Sequence, residues 1–276
     1  MHRPAWDGPI EVAGPPRPID AVVPEAADPR PHRVDIRLVS IDADPWTGSA
    51  ASSLWQSIDE TIIDAASRSH WNANGLRIGQ AVDPGALLSV LHPLVEHQNV
   101  LDGFFAAVGV DSAGASASRP IVMATGRQYE YPIGPPRAGT DVYMVRRLTG
   151  PAEARTLEGG QVVLTMRRLP GDEVRSTTVR ITPEIQHGSL QQQVVQSDTG
   201  MRIANARDRW ALPPLSIDWT AAAGDTLVIA PEPMPRHAAA HVTVDRSVRL
   251  ADRMLGRRDA QQRQQYWVIL LRMDRA

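Results

Sequence analysis

Residues 181–188 read ITPEIQHG. On a helix, Glu184 and His187 stand three apart on one face and can both hold a metal ion. In a strand, side chains three apart point to opposite faces and cannot share one ion. The residues before this stretch, STTVR, are β-branched and alternating, and Pro183 would interrupt a helix. The stretch is therefore predicted as a strand, with a proline near its end and a glycine turn at Gly188.

Working outward from there, most segments after residue 119 read the same way. PIVMAT, QYEYPI, DVYMVRRL, QVVLTMRRL, STTVRITPEI, DTLVIAP and QYWVILLRM are short apolar or alternating runs separated by Gly, Pro and Asp. RSVRLADRMLGRR (246–258) is predicted as a helix, because Arg246, Arg249, Arg253 and Arg257 recur at helical spacing. Before residue 109 the pattern differs. RVDIRLVSI (33–41) alternates, with Val34, Ile36 and Leu38 on one side and Asp35 and Arg37 on the other. SLWQSIDETIIDAASRSHW (53–71) places Leu54, Ile58, Ile62 and Ala65 on one helical face, with Asp64 and Arg68 as an outer ion pair and Asn74-Gly75 as the stop. LRIGQAV then reads as a strand, and Asp83-Pro84 as the cap and first turn of a second helix.

The expected fold class is α+β: a strand-helix-strand-helix portion followed by a mostly antiparallel β-rich portion. The expected organisation is a proline-rich tether over 1–32, an α+β subdomain over 33–108, and a β-rich subdomain over 119–276. The polar run GVDSAGASASRP (109–120) is a flexible joint between the last two.

Composition narrows the chemistry. The chain has 276 residues, no cysteine and no lysine, so all 29 basic residues are arginine. Disulfides, thiolate metal sites, cysteine nucleophiles, phosphate loops with a lysine and Schiff-base chemistry are excluded. A net charge of −2 argues against nucleic acid as a partner. No apolar run is long enough for a transmembrane helix, and the first residues do not read as a signal peptide. The expected location is the periplasm or outer membrane if a signal has been removed, and otherwise the cytoplasm.

Candidate site residues are few. His237 and His241 in HAAAH face together on a helix, but an extended chain holds them about 13 Å apart, and no third ligand accompanies them. Asp42 and Asp44 offer oxygens for calcium without the further acidic positions and closing Glu of a calcium loop. Trp46 and Trp210 are candidate ring faces for a sugar. No Ser stands on a glycine-flanked strand-to-helix turn. No catalytic residue and no cofactor is assigned, and the expectation is a chain that is not an enzyme.

Five segments in order resemble the secretin domain of bacterial outer-membrane secretion and pilus channels. RVDIRLVSID (33–42) resembles the opening strand, with Ser40 where that family carries Glu. RPIVMATGRQYEYPIG (119–134), VRITPEIQHG (179–188), AAGDTLVIAP (222–231) and RLADRMLGRRDAQQRQQYWVILLRM (249–273) resemble its later strands. The family's Val-Pro-x-Leu-Gly-x-Ile-Pro segment, which bears on gate and membrane hairpins, is absent. Residues 53–97 form an insert that is also similar to the ring-building modules preceding such domains. The resemblance implies a non-catalytic, cell-envelope module of protein secretion that self-associates or binds envelope partners. The alternatives are a β-rich glycan- or ligand-binding module and a metal-dependent hydrolase.

Overall fold

The computed structural model describes residues 32–42, 46, 49–95, 119–170, 176–197, 200–232, 249–258 and 262–275. In chain order the elements are β1 (His32–Asp42), α1 (Ser49–Gln56), β2 (Ile58–Asp59), α2 (Ala65–Ala73), β3 (Leu76–Ala81), α3 (Pro84–Val95), β4 (Arg119–Met123) and β5 (Gln128–Pro132). They continue with β6 (Thr140–Val145), β7 (Glu153–Glu158), β8 (Gln161–Arg168), β9 (Ser176–Ser197), β10 (Gly200–Ala211), β11 (Ile217–Ala222), β12 (Thr226–Pro231), α4 (Leu250–Met254), β13 (Gly256–Arg258) and β14 (Gln264–Arg275). The fold is α+β and mostly antiparallel.

The first sheet runs β2-β3-β12-β14-β1-β4, with β13 on the β12 side of β14. Its centre is β14, paired with β1 from His32↔Arg275 to Asp42↔Gln265 and with β12 on the other edge. A strand at that place is buried on both faces, so it reads as a continuous apolar run. WVILLRM and TLVIAP are such runs, and Val268 to Leu271 and all six residues of β12 are buried. Alternate residues go to different cores. Val34, Ile36, Leu227, Ile229, Ile269 and Leu271 join a core shared with the second sheet. Ile41, Val228, Ala230, Val268 and Leu270 pack with Leu54 and Trp55 of α1 and Leu87 and Leu91 of α3. α1 and α3, the first sheet and the second sheet are thus successive layers, while Trp71 of α2 and Leu250, Ala251 and Met254 of α4 enter the shared core.

The second sheet runs β10-β9-β8-β5, with β11 also on β9. It contributes Leu164, Met166, Val179, Ile181, Ile217 and Trp219 to the shared core. β6 and β7 form a separate hairpin, whose Tyr143, Val145 and Leu157 enter the same core.

Several expectations change. The helix predicted over 53–71 is two short helices with β2 between them. Asp59 Oδ1 accepts from both the backbone N–H and the hydroxyl of Thr61, at 2.8 and 2.6 Å, which closes a turn where the helix would have continued. Asp64 caps α2 by accepting from Ser67 N–H at 2.9 Å, instead of pairing with Arg68 across a turn. Ile62, placed on the apolar face by periodicity, is exposed. Among the described residues of the helix predicted over 246–258, only Leu250–Met254 is helical, and 256–258 are a strand; residues 246–248 lie outside the described residues. The division between 33–108 and 119–276 does not separate two bodies. β1 and β3 hydrogen-bond to β14 and β12, and Pro31–Ala276 form one compact unit. Of the tether expected over 1–32, His32 opens β1, and of the joint expected over 109–120, Arg119 and Pro120 open β4; the rest of both lies outside the described residues.

Candidate functional site

ITPEIQHG lies within β9, a strand of 22 residues, so Glu184 and His187 do not share a face. Pro183 sits well inside the strand, and Gly188 is a bulge rather than a turn. Gly188 has φ +71, which few other residues adopt. There the register slips, so Gly188, Ser189 and Leu190 stand opposite Arg207 alone. Arg207 Nε donates to the Gly188 carbonyl at 2.9 Å, and its Nη2 donates to the carbonyl of Gly159 in the β7–β8 turn. The bulge is thereby tied to the body of the second sheet.

Beyond the bulge, β9 and β10 continue alone. β8 pairs with β9 only as far as Gln186, whereas β10 stays paired from Gln191↔Ala206 out to Ser197↔Gly200. Seven pairs make an arm roughly 23 Å long. Among the described residues, no strand pairs with either outer edge of this arm. Leu190 at its base is 69% exposed.

The other candidate residues fall elsewhere. Asp42 accepts from Gln265 Nε2 at 2.8 Å, and Gln265 Oε1 accepts from Ser40 Oγ and Arg257 Nε, so this carboxylate serves a buried polar network. Asp44, His237 and His241 lie outside the described residues. Among the described residues, no three His, Asp or Glu side chains are grouped to hold a metal. Trp46 and Trp210 are buried rather than presented to a sugar. Trp46 Nε1 donates to the Pro231 carbonyl at 3.1 Å, and the Trp210 ring is covered by Arg155 at 4.7 Å. Among the described residues, no helix is long and apolar enough to cross a membrane.

A cleft of about 1000 Å³ opens where α4 and β13 meet the loop between β5 and β6. Arg137, Arg253, Arg257 and Arg258 line it, together with Asp141 and Asp252. Arg137 Nη2 donates to the carbonyls of Asp252, Arg253 and Gly256, at 3.4, 2.8 and 2.7 Å. A cation there satisfies the carbonyl end of α4. Arg253 Nη1 meets Asp141 Oδ1 at 2.6 Å. Tyr266 donates its hydroxyl to Asp252 Oδ1 at 2.7 Å. The Arg257 guanidinium lies over the Trp267 ring at 4.3 Å, and Arg258 is exposed. Gly256 permits this tight corner, since a Cβ there would lie 2.4 Å from the Asp252 carbonyl oxygen. Behind the cleft, burial pushes the Tyr143 hydroxyl above its usual 10.0, and Arg137 pulls it back in part.

Sequence periodicity grouped Arg253 and Arg257 on one helix. They line one cleft for a different reason: the chain turns from α4 into β13 between them. Arg137 carried no local signal, because the loop that brings it lies over a hundred residues away in sequence.

Compared with models of known families, with curated proteins and with solved structures, the chain matches none.

Proposed function

We propose that the chain is a non-catalytic assembly module of the bacterial cell envelope, akin to a secretin domain, and that it joins copies of itself or envelope partners through the β9–β10 arm. The observation that carries this reading is the arm. An isolated two-stranded ribbon is marginal in water, and its open edges present unpaired backbone donors and acceptors. Both conditions are relieved when another strand adds to the edge. The arm is anchored rather than loose, because Arg207 links the Gly188 carbonyl at its base to the Gly159 carbonyl of the sheet body. The two extra residues of the bulge break the register there, a common way for a strand to be re-aimed. The five secretin-like segments fall on β1, β4–β5, β9, β12 and α4–β14, so the arm grows from one of them.

The test is solution mass by light scattering, on the intact chain and on a variant in which Gln191–Ala206 are replaced by an Asn-Gly turn. The intact chain should be multimeric, and the shortened chain monomeric with an unchanged melting temperature. A monomeric intact chain, or equal multimers from both, overturns the reading. Membrane and periplasmic fractionation of cells that make the protein tests the envelope location.

A further inference from the structure

We propose that the arginine-lined cleft between α4–β13 and the β5–β6 loop binds a multiply charged oxyanion ligand, one carrying phosphate or carboxylate groups. Among the described residues, four arginines face two aspartates there, which leaves an excess of positive charge in a concave surface. Concave, partly dry surroundings strengthen the field of such a cluster. Guanidinium groups match the geometry of carboxylate and phosphate oxygens, and their hold is firm when the plane of the group is fixed beforehand.

The protein fixes these planes itself. Arg137 is set by three carbonyls, Arg253 by Asp141, and Arg257 by the Trp267 ring and Gln265. A ligand would therefore meet arginines already ordered, which lowers the entropy cost of binding. The cleft is far larger than a single ion needs and lies at the upper end of small-molecule pockets. Gln262, Gln264 and Tyr266 add neutral hydrogen-bonding groups to its wall. A smaller recess of about 210 Å³ shares Arg253, Arg257 and Arg258 and is walled by Pro135, Pro136 and Trp267. That surface suits the uncharged body of an organic anion.

The experiment is calorimetric titration at low ionic strength with two probes, inorganic pyrophosphate and citrate. It uses the intact chain and its Arg257→Gln, Arg258→Gln and Arg37→Gln variants. Arg258 is exposed at the cleft, so its variant should fold as the parent does; Arg37 is exposed on β1 outside the cleft and serves as control. At least one probe should bind with a Kd below about 1 mM. Arg258→Gln should weaken it about tenfold, the loss of one charge-assisted contact. Arg257→Gln should weaken it at least as much, and Arg37→Gln should leave it unchanged. Binding of pyrophosphate alone assigns a phosphate-bearing ligand, of citrate alone a carboxylate-bearing one, and of both a site that reads charge. Binding of neither overturns the proposal, as does equal binding by the Arg257 and Arg258 variants, or a matching loss in Arg37→Gln.

Discussion

The carbonyl of Pro183 accepts the backbone N–H of Leu212 at 3.1 Å. The N–H and C=O of a strand residue point to the same edge, so the N–H that proline lacks would also face this side. At that height β10 has ended and β11 has not begun, since Ala211 pairs with Glu184 and Ile217 with Ile181. A proline thus sits in the middle of a central strand at the one height where its missing donor opposes a seam.

Pro183→Ala should accordingly change stability by less than about 1 kcal/mol, because no ladder bond is gained or lost. Thr182→Pro should behave otherwise. Thr182 pairs with Thr165, and its backbone N–H and C=O face β8, where they take part in the ladder, while its hydroxyl meets Ser216 Oγ at 2.7 Å. Removing that donor and leaving a buried carbonyl unmatched should cost roughly 1–3 kcal/mol. Denaturant titration of the two variants side by side checks the difference. Equal losses would contradict the seam.

Val268 and Ile269 are neighbours in β14, both fully buried, and they belong to different cores. Ile269→Ala opens a cavity between the two sheets and should cost about 2–5 kcal/mol. Val268→Ala removes fewer atoms, from the helix side, and should cost less. Their side chains enter different cores, so a double variant should lose about the sum of the two, and any excess would report a shift of the backbone they share. Thermal unfolding reads all three values, and an unmoved melting temperature in Ile269→Ala would show that β14 is not the centre of the sheet.

Tyr143 is fully buried, and its hydroxyl has no hydrogen-bond partner among the described residues. Deleting an unmatched buried hydroxyl removes a desolvated group and little else, so Tyr143→Phe should be neutral or stabilising by about 1 kcal/mol. The same residue makes an alkaline prediction. Burial raises its folded pKa above 10.0, so the folded state keeps a proton that the unfolded state releases. Its contribution is fully present below pH 10 and is lost as pH rises beyond that value. Stability measured from pH 9 to pH 11 should fall more steeply in the parent chain than in Tyr143→Phe. Parallel curves would show that the phenol is not the titrating group.

The fold was legible where burial is two-sided or cleanly alternating. β1, β12 and β14 carry such runs and were readable in outline; the length of β9 was not. Its last residues, QQQVVQS, lack the pattern of a sheet-covered strand because only β10 pairs with them. β7 escaped because EARTLE buries only Leu157. β11 does alternate, with Ile217, Trp219 and Ala221 buried, but its Asp and Ala residues dilute the signal. The break at residues 57–64 turned on Asp59 and Asp64 accepting from Thr61 and Ser67, a local competition that apolar periodicity does not register. The cleft was legible only as scattered arginines. Its assembly depends on the β13–β14 pairing, which is local, and on the loop that carries Arg137, which reaches α4 across more than a hundred residues.

The pairing of β1 with β14 also sets a timetable. Asp42, at the end of β1, leaves the ribosome more than two hundred residues before Gln264. At ordinary rates of synthesis that is a wait of roughly 10–45 s. During it β1 has β4 as a possible neighbour, while the edge meant for β14 stays open. β12 likewise has β3 on one side and a vacant place on the other. The central strand is thus inserted last, between two half-built flanks, and the apolar residues of both cores are covered in one late step. A chain stalled before residue 264 would expose two sticky edges at once, which makes it a natural client for a chaperone until the final strand arrives.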